Sequence, residues 1–412
     1  MRPLREAQSD VLAAVPRLQP QRVPVADALG LALAEGVRAR HDLPPFANSA
    51  MDGYAVIALD VAAAPVTLQV LEDVPAGSVP AEKVVPGTAI KIMTGAPLPA
   101  GADAVVQVED TEPGNGEVRI LAGVPAGTSV RPAGEDVAAG TEVLKVGERL
   151  SPARLGVCAS LGYHEPLVGR RPRVAILSTG DEIVPPGTPD LEPGKIRDAN
   201  RFTLRGSLEE LGVTVVDFGI VGDDADELRT RLEQAAAAAD VVVSSGGVSM
   251  GEYDLVKALL TELGSVEFWK VAMKPAKPFA FGRLADTPFF GLPGNPVSVA
   301  VAFEQFLRPA LLYMMGAEKL FRPRVWGVLT DPVETDPEKT VFLRVSVRSG
   351  SDGRLVAGLS GGQGSNILTA LAAADALAVV PVGTSGLAAG SLVELEMIRV
   401  EESRTAAEVL GG

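Results

Sequence analysis

The spacing of hydrophobic residues divides the chain into stretches of different character. Over 4–18, and again over 25–37 after Pro24, hydrophobic residues recur at helical spacing and predict two helices. Over 41–140, short apolar runs such as 89–93 and 104–108 alternate with turns that contain proline and glycine. That alternation is typical of a small β-rich domain. A helical pattern around 154–161 indicates a return to the kind of structure expected for the first region.

Strands and helices alternate clearly over 171–318. The helical patterns have predicted N-caps at Asn200 and Asp224, a further helix is expected over 255–263, and a long one opens at Asn295-Pro296. Strands separated by helices predict a mostly parallel, doubly wound sheet. Six apolar runs supply its predicted strands: 171–178, 213–221, 240–245, 266–273, 278–283 and 287–293.

The segment 320–400 contains five short apolar runs and little helical pattern, which predicts a small β-barrel or sandwich. A chain of 412 residues is expected to form two to four domains. The fold class expected is therefore multidomain, α/β plus β. We expect four parts: a helical and extended linking domain (1–40 and 141–170), a β-rich domain (41–140), an α/β domain (171–318) and a C-terminal β domain (319–412).

Charge and composition narrow the function. The formal net charge is −15, which disfavours binding to nucleic acid or to anionic membranes over the surface as a whole. The most apolar stretch, 296–315, is interrupted by Glu304, Gln305 and Arg308, so no membrane span is expected. The N-terminus lacks the apolar run of a signal peptide, and Cys158 is the single cysteine. We therefore expect a cytoplasmic protein without disulfides.

The chain has only two histidines, His41 and His164, and no paired ligand spacing that suits zinc. Any metal is therefore expected to be a hard cation such as Mg²⁺, held by carboxylates together with phosphate. The carboxylates that lie in predicted turns, any one of which alone would be an ordinary cap or surface residue, are Asp52, Asp136, Asp181, Glu182, Asp223 and Asp254.

Open α/β sheets bind ligands beyond the carboxyl ends of their strands. One glycine-rich loop at such a place is usually a simple turn, but four together favour a polyphosphate or nucleotide site. The segment 247–251 also matches G-x-S-x-G, yet both histidines precede Ser249, so we interpret Ser249 as a hydrogen-bond donor to phosphate, beside glycines that expose backbone N–H groups, and not as a nucleophile. The four loops are 178–182, 222–224, 244–251 and 291–296.

The window 268–285 carries cations and no carboxylate in a strongly acidic chain. Pro275 and Pro278 restrain its backbone, which lowers the entropy lost on binding. A solvated basic face is the alternative interpretation, and a pocket for an oxyanion or phosphate is the preferred one. The cations are Lys270, Lys274, Lys277 and Arg283.

Seven segments in order over nearly the whole chain resemble the molybdopterin molybdenumtransferase family, which includes the MoeA proteins and the gephyrin E domain. They are PPFANSAMDGYAV (44–56), IMTGAPLPAGADAVV (92–106), RPAGED (131–136), ILSTGDEIV (176–184), DVVVSSGGVSMGEYD (240–254), MKPAKPFAFG (273–282) and GLPGNPVS (291–298). The resemblance implies a molybdopterin-binding type of α/β domain, a C-terminal β-barrel, and an elongated homodimer. Each active site would lie between subunits, with Asp52 and Thr94 facing the partner's glycine-rich loops.

The reaction implied by the resemblance is Mg²⁺-dependent cleavage of adenylylated molybdopterin with release of AMP, and insertion of molybdate to complete the molybdenum cofactor. The implied catalytic residues are Asp52, Thr94, Glu182, Asp223, Asp254, Lys270 and Lys274, with Glu182, Asp223 and Asp254 at the metal. The implied molybdate residues are Lys274, Lys277, Ser298, Arg344 and Ser365.

Contacts with the pterin, its adenylate and its phosphates are expected from a larger set of loop residues. These are Asp136, Ser178, Thr179, Gly180, Asp198, Asn200, Ser245, Gly246, Gly247, Ser249, Gly251, Pro293, Gly294 and Pro296. Around Asp198 and Asn200 the chain departs from the family's usual aromatic and hydroxyl neighbours, because it carries Arg197 and Ala199.

Two other functions fit parts of the sequence. One is the adenylyltransferase that makes the adenylylated pterin, which is also a candidate partner protein, but its family lacks the other three regions and tends to have a GGTG-type turn. The other is a non-catalytic scaffold of the same fold. The intact acidic residues of the expected pocket, and the lack of any sign of a receptor-binding extension, favour the transferase.

Overall fold

A computed structural model describes residues 1–247 and 255–400 of the chain. At its centre lies a six-stranded sheet in which the first four strands run parallel and the last two pair antiparallel with their neighbours. The predicted mostly parallel sheet is therefore confirmed. In spatial order its strands are Thr214–Val221, Arg173–Thr179, Val241–Ser245, Thr287–Leu292, Pro278–Leu284 and Gly264–Lys270.

Alternate side chains of the central strands enter two separate cores, which is why these strands read as continuous apolar runs. Val174 and Ile176 lie in one core, and Ala175 and Leu177 lie in the other. Helices therefore cover both faces of the sheet, as a doubly wound fold requires. One face carries Asn200–Leu211 and Pro296–Ala302, and the other carries Ala225–Ala238 and Leu255–Leu263.

The long helix predicted after Asn295-Pro296 is present. It continues from Pro296–Ala302 through a π-helical turn, Phe303–Leu307, into Arg308–Met314. In the described part of the chain it is the one helix long and apolar enough, by those two measures, to cross a membrane. Most of it is buried among other elements, so it serves here as a core helix.

Of the two predicted N-caps, one is present in the structure and the other is not. Asp224 accepts hydrogen bonds from the N–H groups of Asp226 and Glu227, as an N-cap should. The prediction for Asn200 is wrong, because Asn200 is already helical and its side chain bonds elsewhere. The carboxylate of Asp198 instead accepts the N–H of Arg201.

The linking region contains the predicted helices Leu4–Ala14 and Pro152–Ser160, but the helix predicted over 25–37 is wrong. Only Val25–Asp27 forms a short 3₁₀ turn, and the chain reverses at Gly30, where φ is +78°. From there it runs extended and exchanges backbone hydrogen bonds with 147–150. Two strand pairs complete the region: Pro20–Arg22 with Leu167–Gly169, and Val37–Arg38 with Glu142–Leu144.

The segment 44–136 forms a β-rich unit with apolar clusters of its own. It also contains the short helix Ala58–Val61 and the strand pair Asn48–Ser49 with Val130–Arg131. Its sheet has the order Ala104–Gln107, Gly53–Val56, Thr88–Ile92, Val66–Val74, Glu117–Ile120, Thr111–Pro113.

The C-terminal strands close into a five-stranded barrel around a separate apolar core, which decides between barrel and sandwich. The short strand Met273–Lys274 of the α/β domain adds to the barrel beside Thr340–Val341. Outside the ring lie the helix Leu368–Ala372 and the pair Val333–Glu334 with Gly386–Leu387. In ring order the strands are Thr340–Ser349, Leu355–Leu359, Arg324–Leu329, Leu392–Met397 and Ala376–Val380.

Candidate functional site

The carboxyl ends of the parallel strands bring three predicted loops together. The Asn200 amide donates 2.8 Å to the Ser245 hydroxyl and 2.7 Å to the carbonyl of Gly294. The Ser178 hydroxyl donates 3.1 Å to Asp198. These long-range bonds hold the loops after three different strands at one edge of the sheet, where open α/β folds bind their ligands.

Asp198 is almost fully buried, and both of its carboxylate oxygens are used by protein donors. Arg201 donates to it through its side chain at 2.9 Å and through its backbone at 3.1 Å, while Ser178 supplies the third donor. Asp198 therefore supports the loops from behind the site. Arg197, one of the departures from the family pattern, donates to the carbonyls of Thr188 and Pro189.

The glycines of this edge allow a close approach between loops. At Gly246, where φ is +96°, a Cβ would lie 2.7 Å from the carbonyl oxygen of Thr179. The N–H groups of Gly180 and Gly246 bond to Val221 and Leu292, so these two amides brace the strands. The buried hydroxyls of Thr179 and Ser244 have no hydrogen-bond partner within 1–247 and 255–400. Unpaired buried hydroxyls at this edge are what a ligand's polar groups would satisfy.

Carboxylates lie beside the same edge and are exposed. The side chain of Asp181 accepts the N–H of Asp223 at 3.0 Å, which ties the loops after two neighbouring strands together. Glu182 folds back over Gly180, where a Cβ would come within 2.3 Å of its Oε2. Gly247 adopts φ of +67° just before the segment 248–254. Ser249, Gly251 and Asp254 lie outside the described residues.

The cationic loop 270–277 is fixed between the α/β domain and the barrel. The N–H of Val271 bonds to the carbonyl of Lys277 at 2.8 Å, and the carbonyl of Lys270 accepts the N–H of Arg2 at 2.8 Å. Ala276 is buried with φ of +68°, a left-handed conformation that costs a non-glycine residue roughly 1–2 kcal/mol. The surrounding structure therefore dictates the shape of the loop, which leaves the lysine side chains exposed.

Arg344 lies on the barrel strand next to that loop and is only 1% exposed. Its guanidinium donates to the carbonyls of Gly362 and Gly364 at 3.1 Å each, and its Nε has no partner in the part of the chain that the structure describes. No ion pair to it is found among the described residues. The carbonyl of Ser365 accepts the N–H of Val297, which brings this loop against the buried Ser298.

The remaining predicted residues are close to these elements. Pro293 is buried behind the Gly294 carbonyl, and Pro296 is the first residue of the long helix. Asp336 lies just before the barrel strand Thr340–Ser349, and its pKa is lowered mainly by the hydrogen bond from Lys339 and also, to a smaller extent, by the charge of Lys274.

The Asp52–Thr94 pair lies in the β-rich unit. Asp52 Oδ1 accepts 2.7 Å hydrogen bonds from both the backbone N–H and the hydroxyl of Thr94, and these bonds lower the pKa of Asp52. The carboxylate of Asp136 is exposed in the same unit. Within the described residues, no hydrogen bond or ion pair joins 44–136 to 173–400. Among those residues, nothing bonds Asp52 to the strand-end loops of its own chain.

Comparisons with known proteins bear on this arrangement. Three family models match in order: the MoeA N-terminal region (domain I and II) at 2–162, a probable molybdopterin binding domain at 175–313, and the MoeA C-terminal region (domain IV) at 327–398. Molybdopterin molybdenumtransferase 2 of Mycobacterium tuberculosis is 41% identical over 405 residues, covering 96% of this chain and 99% of the relative.

The chain belongs to the molybdopterin molybdenumtransferase family. The family expected from the sequence is confirmed, and so is the multidomain fold class. Another relative, the molybdopterin molybdenumtransferase of Haemophilus influenzae, is 36% identical over 396 residues, covering 95% of this chain and 98% of the relative. The molybdopterin biosynthesis moeA protein from Pyrococcus horikoshii OT3 superposes with a TM-score of 0.80 at 30% identity, covering 96% of this chain and 100% of that one.

The carboxylates of this family member suit a Mg²⁺ ion that keeps several of its water ligands. Among the described residues no group of three or more Asp, Glu, His or Cys side chains could form a cage for a metal. Glu182 and Asp223 are exposed oxygen donors beside the unpaired hydroxyls. Mg²⁺ typically keeps several waters and is held by one or two carboxylates with substrate phosphates, which suits this donor set.

Sequence reasoning missed three residues that shape the site. Gln363 bonds to the backbone of Arg344, the charge of Lys274 helps to lower the pKa of Asp336, and the side-chain oxygen of buried Asn48 has no partner among the described residues. Gln363 was detectable in principle as the one large polar residue in the glycine-rich GGQG segment. The other two depend on long-range packing, and no local pattern marks them.

Proposed function

We propose that this chain is a molybdopterin molybdenumtransferase that inserts molybdate into adenylylated molybdopterin and releases AMP, completing the molybdenum cofactor. The observation that carries the proposal is a buried cation, Arg344, without a carboxylate partner in the described chain, next to an exposed pair of lysines. A positive site of this kind suits a tetrahedral oxyanion. Relatives covering nearly the full chain carry this enzyme name, which supports the proposal.

The strand-end edge would hold the pterin phosphates. Thr179 and Ser244 offer unpaired hydroxyls there, and Ser245 and Asn200 fix the neighbouring loops. Glu182 and Asp223, with Asp254, would hold Mg²⁺. When bound, Mg²⁺ would neutralise charge that develops on the phosphate oxygens.

The oxyanion would lie at the junction between the α/β domain and the barrel. Lys274 and Lys277 would attract it, while Arg344, Ser298 and Ser365 would orient it. Because the cationic loop is already fixed before substrate arrives, little reorganisation is needed when negative charge develops. Lys270 shapes the base of the loop through its backbone contact with the N-terminus.

We propose a site shared between the subunits of a homodimer. Asp52 and Thr94 would act on the strand-end loops of a partner subunit; the lack of any bond between the two regions among the described residues of one chain supports this. We also retain the four-part division at 1–40 with 141–170, 41–140, 171–318 and 319–412, supported by the separate apolar clusters. A cytoplasmic location and contact with the adenylyltransferase of the pathway complete the proposal.

The test is turnover by the purified chain. Supplied with adenylylated molybdopterin, Mg²⁺ and molybdate, it should release AMP and yield a cofactor that activates a cofactor-free molybdoenzyme. Omitting molybdate is the control that should leave that molybdoenzyme inactive. Formation of adenylylated pterin from ATP would instead identify an adenylyltransferase, and no turnover of either substrate would indicate a scaffold.

A further inference from the structure

The side-chain amide of Gln363 forms hydrogen bonds with both the backbone N–H and the backbone carbonyl of Arg344. Its Oε1 accepts the Arg344 N–H at 2.9 Å, and its Nε2 donates 3.1 Å to the Arg344 carbonyl. The same Nε2 donates 2.9 Å to the carbonyl of Gly361. One amide thus satisfies the backbone of a barrel strand and the backbone of its own loop.

The loop needs such an anchor because it is nearly devoid of side chains. Gly361, Gly362 and Gly364 surround Gln363, and Gly361 has φ of +142°, a conformation that other residues rarely adopt. Glycine-rich backbone has high conformational freedom, so ordering it is entropically costly unless other bonds hold it. The three hydrogen bonds of Gln363 supply part of that restraint, together with the bond from the Val297 N–H to the Ser365 carbonyl.

The 361–365 loop forms part of the candidate anion pocket. The carbonyls of Gly362 and Gly364 accept from the Arg344 guanidinium, which fixes its direction. The carbonyl of Ser365 accepts the N–H of Val297 at 3.1 Å. Displacing the loop would therefore move Arg344 and Ser365 together, relative to the long helix.

We propose that Gln363 is a positioning residue that sets the affinity of this pocket for molybdate by clamping the 361–365 loop to the strand that carries Arg344. The inference rests on the proposed function, since it takes the pocket to be the oxyanion site. Arg344 is almost fully buried, and this burial lowers the pKa of its guanidinium. Its orientation then depends on protein contacts, and Gln363 fixes their geometry.

The test replaces the amide by a side chain of similar length without hydrogen bonds, Gln363→Met, in the full chain. Calorimetry with molybdate alone should show Kd raised about tenfold. In turnover the KM for molybdate should rise in parallel, while kcat at saturating molybdate and the KM for adenylylated molybdopterin stay unchanged. The matched control is Gln234→Met on the exposed face of the helix Ala225–Ala238, which should alter none of these values.

A purely structural role would look different. It would lower the melting temperature and the active fraction, and leave both the Kd and the KM for molybdate unchanged; that result, or equal losses for both substrates, overturns the inference. If Gln363→Met does not fold, Gln363→Asn keeps an amide that is one methylene too short, and the same criteria apply to it. If neither variant folds, Gln363 is structural and the inference is wrong.

The failure of the proposed function can be told apart from the failure of this inference. A wild-type chain that binds molybdate but turns over no pterin contradicts the proposed function, while the comparison of Kd values still decides the role of Gln363. A wild-type chain that binds no molybdate removes the pocket, and the inference with it.

Discussion

At the scale of single residues, Asp52 is held as an anion by two donors from Thr94. The pKa of Asp52 is lowered in the fold, so its contribution to stability is present above its unfolded pKa and is lost as pH falls below about 4 through the folded value. Thr94→Val removes the hydroxyl donor and should raise the pKa of Asp52. A carboxyl NMR titration measures the shift, and an unchanged titration would show that the hydroxyl contributes nothing.

The lysines of the cationic loop give a second prediction at this scale. Removing both charges, Lys274→Ala with Lys277→Ala, should weaken molybdate binding by more than about tenfold, and nucleotide binding far less. Calorimetry with each ligand separates the two effects. The control, Lys145→Ala with Lys319→Ala, makes the same change in net charge at two exposed positions outside the loop. Equal losses of both ligands in the loop variant would contradict the pocket.

At the scale of elements, the helix Ala225–Ala238 depends on its cap. Asp224 accepts 2.8 and 3.1 Å hydrogen bonds from two first-turn N–H groups. Asp224→Ala leaves those donors without a protein partner and should lower the free energy of unfolding by about 1 kcal/mol, whereas Asp224→Asn keeps an acceptor and should be nearly neutral. Urea denaturation measures both, and identical losses would argue that the charge, not the hydrogen bond, matters.

The same elements show how far sequence reasoning reaches. The run that contains Ile176 is predicted as a strand of a mostly parallel sheet because helical patterns separate the successive strands, and the structure shows that its side chains are buried on both faces. The helix expected over 25–37 is wrong because the chain reverses at Gly30, after which it runs extended with Leu31, Ala32 and Leu33 all buried. Asparagine is a common N-cap residue, but the side chain of Asn200 instead donates hydrogen bonds to Ser245 and Gly294, which lie 45 and 94 residues away in the sequence.

In the candidate site, too, some features could be predicted from the sequence and others could not. The strand-end loops could be predicted because the ends of parallel strands necessarily meet at one edge of the sheet. The grip of Gln363 on Arg344 spans 19 residues and depends on closure of the barrel, so no local pattern reveals it. Whether an apparent ligand residue faces inward also depends on packing, as buried Asp198 shows.

At the scale of the whole molecule, the proposal that Asp52 acts on the strand-end loops of a partner subunit gives a prediction about pairs of chains. Asp52→Ala and Glu182→Ala should each be inactive alone. In a mixed dimer one of the two sites would combine an intact Asp52 with an intact Glu182, so co-refolding the variants should restore part of the AMP release. Co-refolding Asp52→Ala with Thr94→Ala is the matched control: both defects lie on the β-rich side, so every shared site stays damaged. Restoration in neither mixture, with mixed dimers verified by mass, would place the complete site within one chain and require the β-rich unit to reach its own loops.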